Sequence, residues 1–311
     1  MKVLDILVLL LLVATLGFGA YTMWLNFPGN TVYKSFSPDS SALSADLTSV
    51  NASGKIVQFY PNMRYRDRSI SYRLESACTQ TKWVNIQKAF SIISEKTNLE
   101  FYSSKDNPEI SVLCSDISPK TEEKGHFIAG EGGPSEIIST TNFAVIFSGR
   151  ISLYRDEKCD EPKIALHEIL HALGFDHYNN PESVMYPTTE CNQEIDEEII
   201  SDINNLYYFD SLPDLAIEHL NANLTGRYLS FDINVTNIGL ADSKEARLNV
   251  YADSDKVANF TLGDLEIGTK RILSVQNARV PRNINNLIFE VESESNKELN
   301  LKNNNAEIIV A

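Results

Sequence analysis

The sequence predicts an α+β fold over residues 55–210, followed by an all-β, immunoglobulin-like sandwich over 213–311. Two observations carry that division. Between 55 and 210, runs with the 3.6-residue period of helices alternate with short runs of period two. Past Leu212 the helical period disappears and strict alternation takes over: Leu229, Phe231, Ile233 and Val235 are interleaved with Ser230, Asp232, Asn234 and Thr236.

The elements follow in chain order. From Val3 to Leu25 the chain is largely apolar with one charge, Asp5, and at 1.5 Å per residue such a helix spans the roughly 30 Å hydrocarbon core of a bilayer. Residues 1–25 are expected to be a transmembrane anchor. A cleaved signal peptide is the alternative, with Gly17-Phe18-Gly19 as the small-residue site. Either reading places the remainder outside the cytosol, extracellular at the cell membrane or secreted. Residues 26–54 are rich in Ser, Thr, Asn, Gly and Pro with little periodicity, as in a linker or short pro-segment. Ser69–Leu74 reads as a strand. Trp83, Ile86, Phe90 and Ile93 give one apolar helical face over 82–97. Leu99–Tyr102, Glu109–Leu113, Phe143–Phe147 and Ile151–Tyr154 read as further strands, whereas 118–135, with four glycines, has no clear assignment. Pro162 suits the first turn of a following helix, and Ile195, Ile199 and Ile203 mark a last one ending near Tyr208.

The helix after Pro162 carries the chemistry. Residues 167–177 read HEILHALGFDH. His167 and His171 are one turn apart on one helix face, so both imidazoles can reach one zinc ion at roughly 2.0–2.1 Å. Glu168 lies beside the first ligand and is placed to act as a base without occupying the metal. Gly174 can turn the chain and bring His177 back as a third ligand, leaving a fourth position open. Met185 follows within Ser183–Pro187, SVMYP.

This long histidine motif with a downstream methionine turn resembles the metzincin zinc endopeptidases, and Met185-Tyr186-Pro187 resembles the matrixin branch. Tyr178, after the third histidine, departs from the serine or threonine typical of matrixins. The resemblance implies a mixed twisted sheet with three helices and zinc-dependent hydrolysis of peptide bonds in extracellular or cell-surface proteins. It also implies Glu168 as general base and Met185 as an apolar floor under the imidazoles. The pro-segment cysteine that keeps many matrixins latent has no counterpart in 26–54. An extended substrate is expected to pair with a sheet-edge strand within 135–148, and Thr188 and Thr189 to line a side-chain pocket.

In the C-terminal part, Pro213-Asp214-Leu215, Val235–Gly239 and Asn303-Asn304-Asn305 resemble the CARDB family of cell-adhesion-related sandwiches. That resemblance supports a second reading, a surface adhesion protein whose protease domain is inactive. Cys78, Cys114, Cys159 and Cys191 suggest two disulfides in an exported chain; of three pairings, Cys78–Cys114 with Cys159–Cys191 is preferred because the second pair brackets the motif. His126 and His219 are surplus to the site. The acidic loop Asp156–Glu161 offers oxygens for calcium, although solvated charge explains it as well. The net charge of −15 argues against a nucleic-acid partner, leaving protein or peptide substrate, with the membrane through the N-terminal segment.

Overall fold

The computed structural model describes residues 3–26, 31–36, 58–120, 127–295 and 297–310. Helix α1 spans Val3–Asn26, and its apolar side chains Val8, Leu9, Leu10, Leu11 and Leu12 are exposed. The longest unbroken run of described α1 side chains is 8–22. Among the described residues no helix is long and apolar enough to cross a membrane, so the expected membrane placement rests on the sequence alone. Within the stretch read as linker, Thr31–Phe36 forms strand β1.

The first globular layer is a six-stranded sheet. Its strands are β2 (Met63–Tyr65), β3 (Ser69–Leu74), β4 (Glu100–Ser103), β5 (Ile110–Cys114), β6 (Gly130–Ser139) and β7 (Ala144–Leu153). β4, β3, β5 and β7 lie side by side in parallel, β2 joins β7 in parallel, and β6 joins the far side of β7 antiparallel. The two strands expected at 143–147 and 151–154 are one continuous strand, β7, because Ser148-Gly149-Arg150 remains paired with β5 and β6.

Helix α2 (Gln80–Lys96) packs Ile86, Ala89, Phe90 and Ile93 onto this sheet. Thr79 caps it by accepting from the Lys82 N–H. Trp83 is not core, as its spacing suggested, but 39% exposed. The neighbouring Lys82 is the buried residue, its Nζ donating to Asp116 at 3.1 Å. A long stem ending in a charge can lie against apolar surface and still reach a carboxylate. Helices α3 (Lys163–Ala172) and α4 (Glu197–Leu206) complete the three expected helices of this domain. Disulfides join Cys78 to Cys114 and Cys159 to Cys191, the preferred pairing.

The second globular layer is a sandwich of two four-stranded sheets. One has the order β1, β8 (Leu215–Thr225), β9 (Tyr228–Asn237), β12 (Lys270–Arg279). The other has the order β11 (Asp255–Leu265), β10 (Ser243–Ala252), β13 (Asn286–Glu292), β14 (Asn305–Ile309). The apolar set of the alternation read from sequence is realised, with Leu229, Phe231, Ile233 and Val235 buried against Leu248, Val250, Leu287, Phe289 and Val291, although Thr236 of the polar set is buried too. A fully buried side chain of this size contributes ~1.5–3 kcal/mol relative to exposure. Strand β1 precedes the first domain in sequence yet pairs with β8, from Thr31↔Thr225 to Phe36↔Leu220. The sandwich therefore draws one strand from outside the expected 213–311.

Candidate metal centre and cleft

Helix α3 starts at Pro162, which has no side chain to cap it. Glu157 substitutes from the preceding loop: one carboxylate oxygen accepts from the Ile164 N–H at 3.0 Å, the other from Lys158 and Cys159. Glu161 meanwhile pairs with Lys163 at 2.8 Å. These contacts account for the acidic loop, which forms no convergent metal cluster among the described residues. The sequence-level expectation of calcium at Asp156–Glu161 finds no support.

The helix ends at Gly174, whose φ of +100° is left-handed backbone that glycine adopts without a Cβ penalty. A Cβ there would also lie 2.6 Å from the Met63 side chain. The turn returns His177 toward the helix. His167, His171 and His177 then offer ligand atoms within 4.8 Å of one another.

Backbone carbonyls set the tautomers. His167 Nδ1 lies 2.6 Å from the Val184 oxygen, and His171 Nδ1 lies 2.7 Å from the Phe175 oxygen. A carbonyl only accepts, so each Nδ1 carries its hydrogen and each Nε2 presents a bare lone pair. The His167 and His171 Nε2 atoms are 3.0 Å apart, and His171 and His177 Nε2 are 3.3 Å apart. Facing lone pairs at that distance repel unless a cation lies between them. Three nitrogens about 2.0–2.1 Å from a tetrahedral centre would be about 3.3 Å apart. The donor set fits zinc.

Electrostatics agree. Burial first, and the neighbouring His171 second, lower the His167 pKa to about 3, so the ring is neutral, as a ligand must be. Burial, then repulsion from Glu131, raises the Glu168 carboxyl to about 8. An adjacent cation would reinforce the lowering at His167 and oppose the rise at Glu168, favouring the carboxylate.

The methionine turn serves this geometry through its backbone. Val184, one residue before fully buried Met185, supplies the carbonyl that orients His167. The Met185 N–H donates to Ser183 Oγ at 3.0 Å, and Ser183 Oγ in turn pairs with Asp196. Tyr178 is half-buried, and its N–H donates to the Met185 carbonyl. Phe59 stacks on His171 with ring centroids 5.8 Å apart, and its N–H donates to the Gly174 carbonyl. Nothing in the spacing of Phe59 marked it.

The site opens into a cleft of about 1160 Å³ containing the three histidines and Glu168. Gly130–Gly132 of β6 form one wall, and Pro187, Thr188 and Thr189 line another part. Strand β6 is the element that sequence reading missed. Its sequence, GEGGPSEIIS, has no buried position and no clean period. The glycines are there for contact: a Cβ on Gly130 would fall 2.7 Å from the Glu168 carboxylate, and one on Gly132 would fall 2.1 Å from the Glu168 carbonyl. The edge strand starts at 130 and reaches the site, whereas the expected range began at 135. His219 lies exposed on β8, away from the histidine cluster. His126 is outside the described residues.

Fold and site together define a class: a mixed sheet with a helix-borne histidine triad, joined to a separate sandwich. Comparison with known proteins assigns the parts. Residues 64–208 match the matrixin family model and residues 212–308 match the CARDB model, so the chain carries a matrixin-like domain followed by a CARDB-like one. Macrophage metalloelastase of Rattus norvegicus is 29% identical over 141 residues, which cover 40% of this chain and 28% of that protein. The chain thus spans less than a third of that relative's length. Two solved structures are also similar. A CARDB domain of the PF1109 protein from Pyrococcus furiosus, in complex with di-metal ions, is 21% identical, covers 32% of this chain and 88% of its own, and gives a TM-score of 0.27. High choriolytic enzyme 1, a hatching enzyme zinc-protease from Oryzias latipes, is 17% identical, covers 46% of this chain and 90% of its own, and gives a TM-score of 0.31. The matrixin match and the metalloelastase relative support a metalloprotease.

Proposed function

We propose that this chain is a zinc-dependent endopeptidase acting on extracellular or cell-surface polypeptides. The observation that carries this reading is the convergence of three imidazole Nε2 atoms, two of them bared by their Nδ1 bonds, beside a buried glutamate at the foot of an open cleft. His167, His171 and His177 hold the metal. Bound there, zinc would polarise a scissile carbonyl and acidify water. Glu168 accepts the proton of the attacking water on its carboxylate and returns it to the leaving amine nitrogen. Its seat under Gly130 and Gly132 limits the rotamers open to it. Met185 packs beneath the imidazoles without touching the reacting atoms. An extended peptide adds to the free edge of β6 by main-chain hydrogen bonds, the general mode of strand addition.

Export is supported by the two disulfides, which persist in oxidising compartments. The largely apolar run Val3–Leu25 in the sequence supports an anchor or signal segment. The CARDB domain favours a second reading, an adhesion protein with an inert protease domain. Retention of Glu168 and all three histidines weighs against it. Zinc stoichiometry of the purified chain, together with cleavage of a peptide library, tests the choice. One zinc with chelator-sensitive cleavage is expected. A chain that holds no zinc and cleaves nothing leaves the adhesion reading.

A further inference from the structure

We infer that the sandwich positions the edge strand β6, so that the preferred substrates are extended polypeptides long enough to run the length of that strand. The inference rests on the endopeptidase reading and adds to it a task for the second domain.

Strand β6 is poorly held by its own residues. None of its side chains is buried, Pro134 lacks an N–H, and its register against β7 shifts between Pro134 and Ile137. Among the described residues its other edge carries no strand. Besides its pairing with β7 and the contact of Ile137 with the first domain's core, it is fixed at its two ends. At one end Gly130 and Gly132 lie directly on Glu168.

At the other end the anchor is the sandwich. Ile138 packs on a separate apolar cluster in which Phe143 and Val145 from the first domain meet Leu240 and Ile267 from the second. All four of those side chains are at most 2% exposed. Thr140 Oγ1, in the β6–β7 turn, donates to the Ile238 carbonyl at 3.1 Å. Gly268 completes the contact: its φ is +72°, and a Cβ there would lie 2.6 Å from Ile138 Cγ2. From Gly132 to Ser139 the strand runs about 23 Å at ~3.3 Å per residue. Ser135 and Glu136 in between are exposed, leaving main-chain groups on the outer edge for a peptide.

This arrangement separates two effects. Loosening the Ile138 end weakens pairing with long peptides while leaving Glu168 and the histidines in place. Ile138 and Ile267 are therefore positioning residues, with an effect on KM rather than kcat.

The test uses the full chain and two peptides with the same scissile bond, chosen by library cleavage. One is confined to the Gly130–Gly132 end, and the other extends beyond the position of Ser139. Ile267→Ser should raise KM for the long peptide several-fold, with kcat, short-peptide cleavage and zinc content unchanged. Amide exchange at 135–139 should quicken. Thr140→Val, which removes the hydroxyl's bond to the Ile238 carbonyl together with its contacts to the Phe143 backbone at nearly constant volume, should show the same pattern and is read alone if Ile267→Ser fails to fold. Equal loss on both peptides, or no change in KM or exchange, overturns the inference. A wild-type chain that holds zinc but cleaves neither peptide overturns the endopeptidase reading instead; faster exchange at 135–139 in the variants would still support the packing role.

Discussion

Strands β6 and β9 have the same length, yet one is a sheet edge and the other an interior strand, and they are built on opposite principles. In β9, Leu229, Phe231, Ile233 and Val235 are all buried and nearly every neighbour between them faces outward. In β6 no residue is buried, and the residues nearest the site are glycines. The difference reflects what each strand must contact. β9 buries one face against a second sheet, which any alternating sequence of suitable volume satisfies. β6 must bring its backbone against Glu168 and leave an edge open, which requires missing side chains and not buried ones.

The contrast separates chemistry from stability, and five measurements probe the separation. His171→Ala should have the largest effect, loss of bound zinc and of all peptide cleavage with the sandwich intact; metal analysis and circular dichroism check it. Glu168→Gln should keep zinc, because the histidines remain, and lower turnover on the order of 10²–10⁴-fold. Full activity in this variant would remove Glu168 as the base.

On the stability side, Phe289→Ala empties a site that is 0% exposed and sits 5.0 Å, ring to ring, from Phe231. A cost of ~3–5 kcal/mol is expected in denaturant unfolding, with zinc content and short-peptide cleavage retained. Simultaneous loss of zinc would mean that the two domains unfold as one. Replacing Cys159 and Cys191 by serine opens a loop with a sequence separation of 32. The expected loss is ~3–4 kcal/mol in the chain-entropy model, and thermal unfolding with and without reductant measures it.

The last measurement concerns pH. Asp214 is fully buried where the domains meet, hydrogen-bonded by Asn303 at 2.8 Å and Asn142 at 3.4 Å. Burial, with Glu298 nearby, raises its pKa from 3.8 to about 7 despite those bonds. The folded state therefore favours the protonated carboxyl. Its stabilising contribution is complete below about pH 4 and is lost as pH rises toward 7, by at most about 1.4 kcal/mol per pH unit. Unfolding midpoints should fall across that window in the wild type and fall less in Asp214→Asn.

Much of this was legible in the chain. The triad, Glu168 and Met185 follow from a fixed helical spacing and one glycine turn, both local. The sandwich strands follow from alternation, and the disulfide pairing from the position of the cysteines around the motif. Trp83 misled because the buried apolar face of α2 begins at Ile86, about one turn later, and in the first turn it is Lys82 that is buried. β7 was read as two strands because Ser148-Gly149-Arg150 interrupts the apolar pattern without interrupting the pairing.

The sequence by itself determined which residues present nitrogen lone pairs on one helix face, since the 3.6-residue turn requires no partner to bring His167 and His171 together. It likewise determined which face of each sandwich strand is apolar. Tertiary structure decided the remainder of the site. The carbonyls of Val184 and Phe175 fix the imidazole tautomers, Phe59 arrives from far upstream to stack on His171, and Glu157 caps a helix it does not belong to. Tertiary structure also took β1 across the chain into the sandwich and set Ile267 against Ile138. Each of these is a contact between segments distant in the chain, or made by backbone atoms common to every residue, and neither kind leaves a period in the sequence.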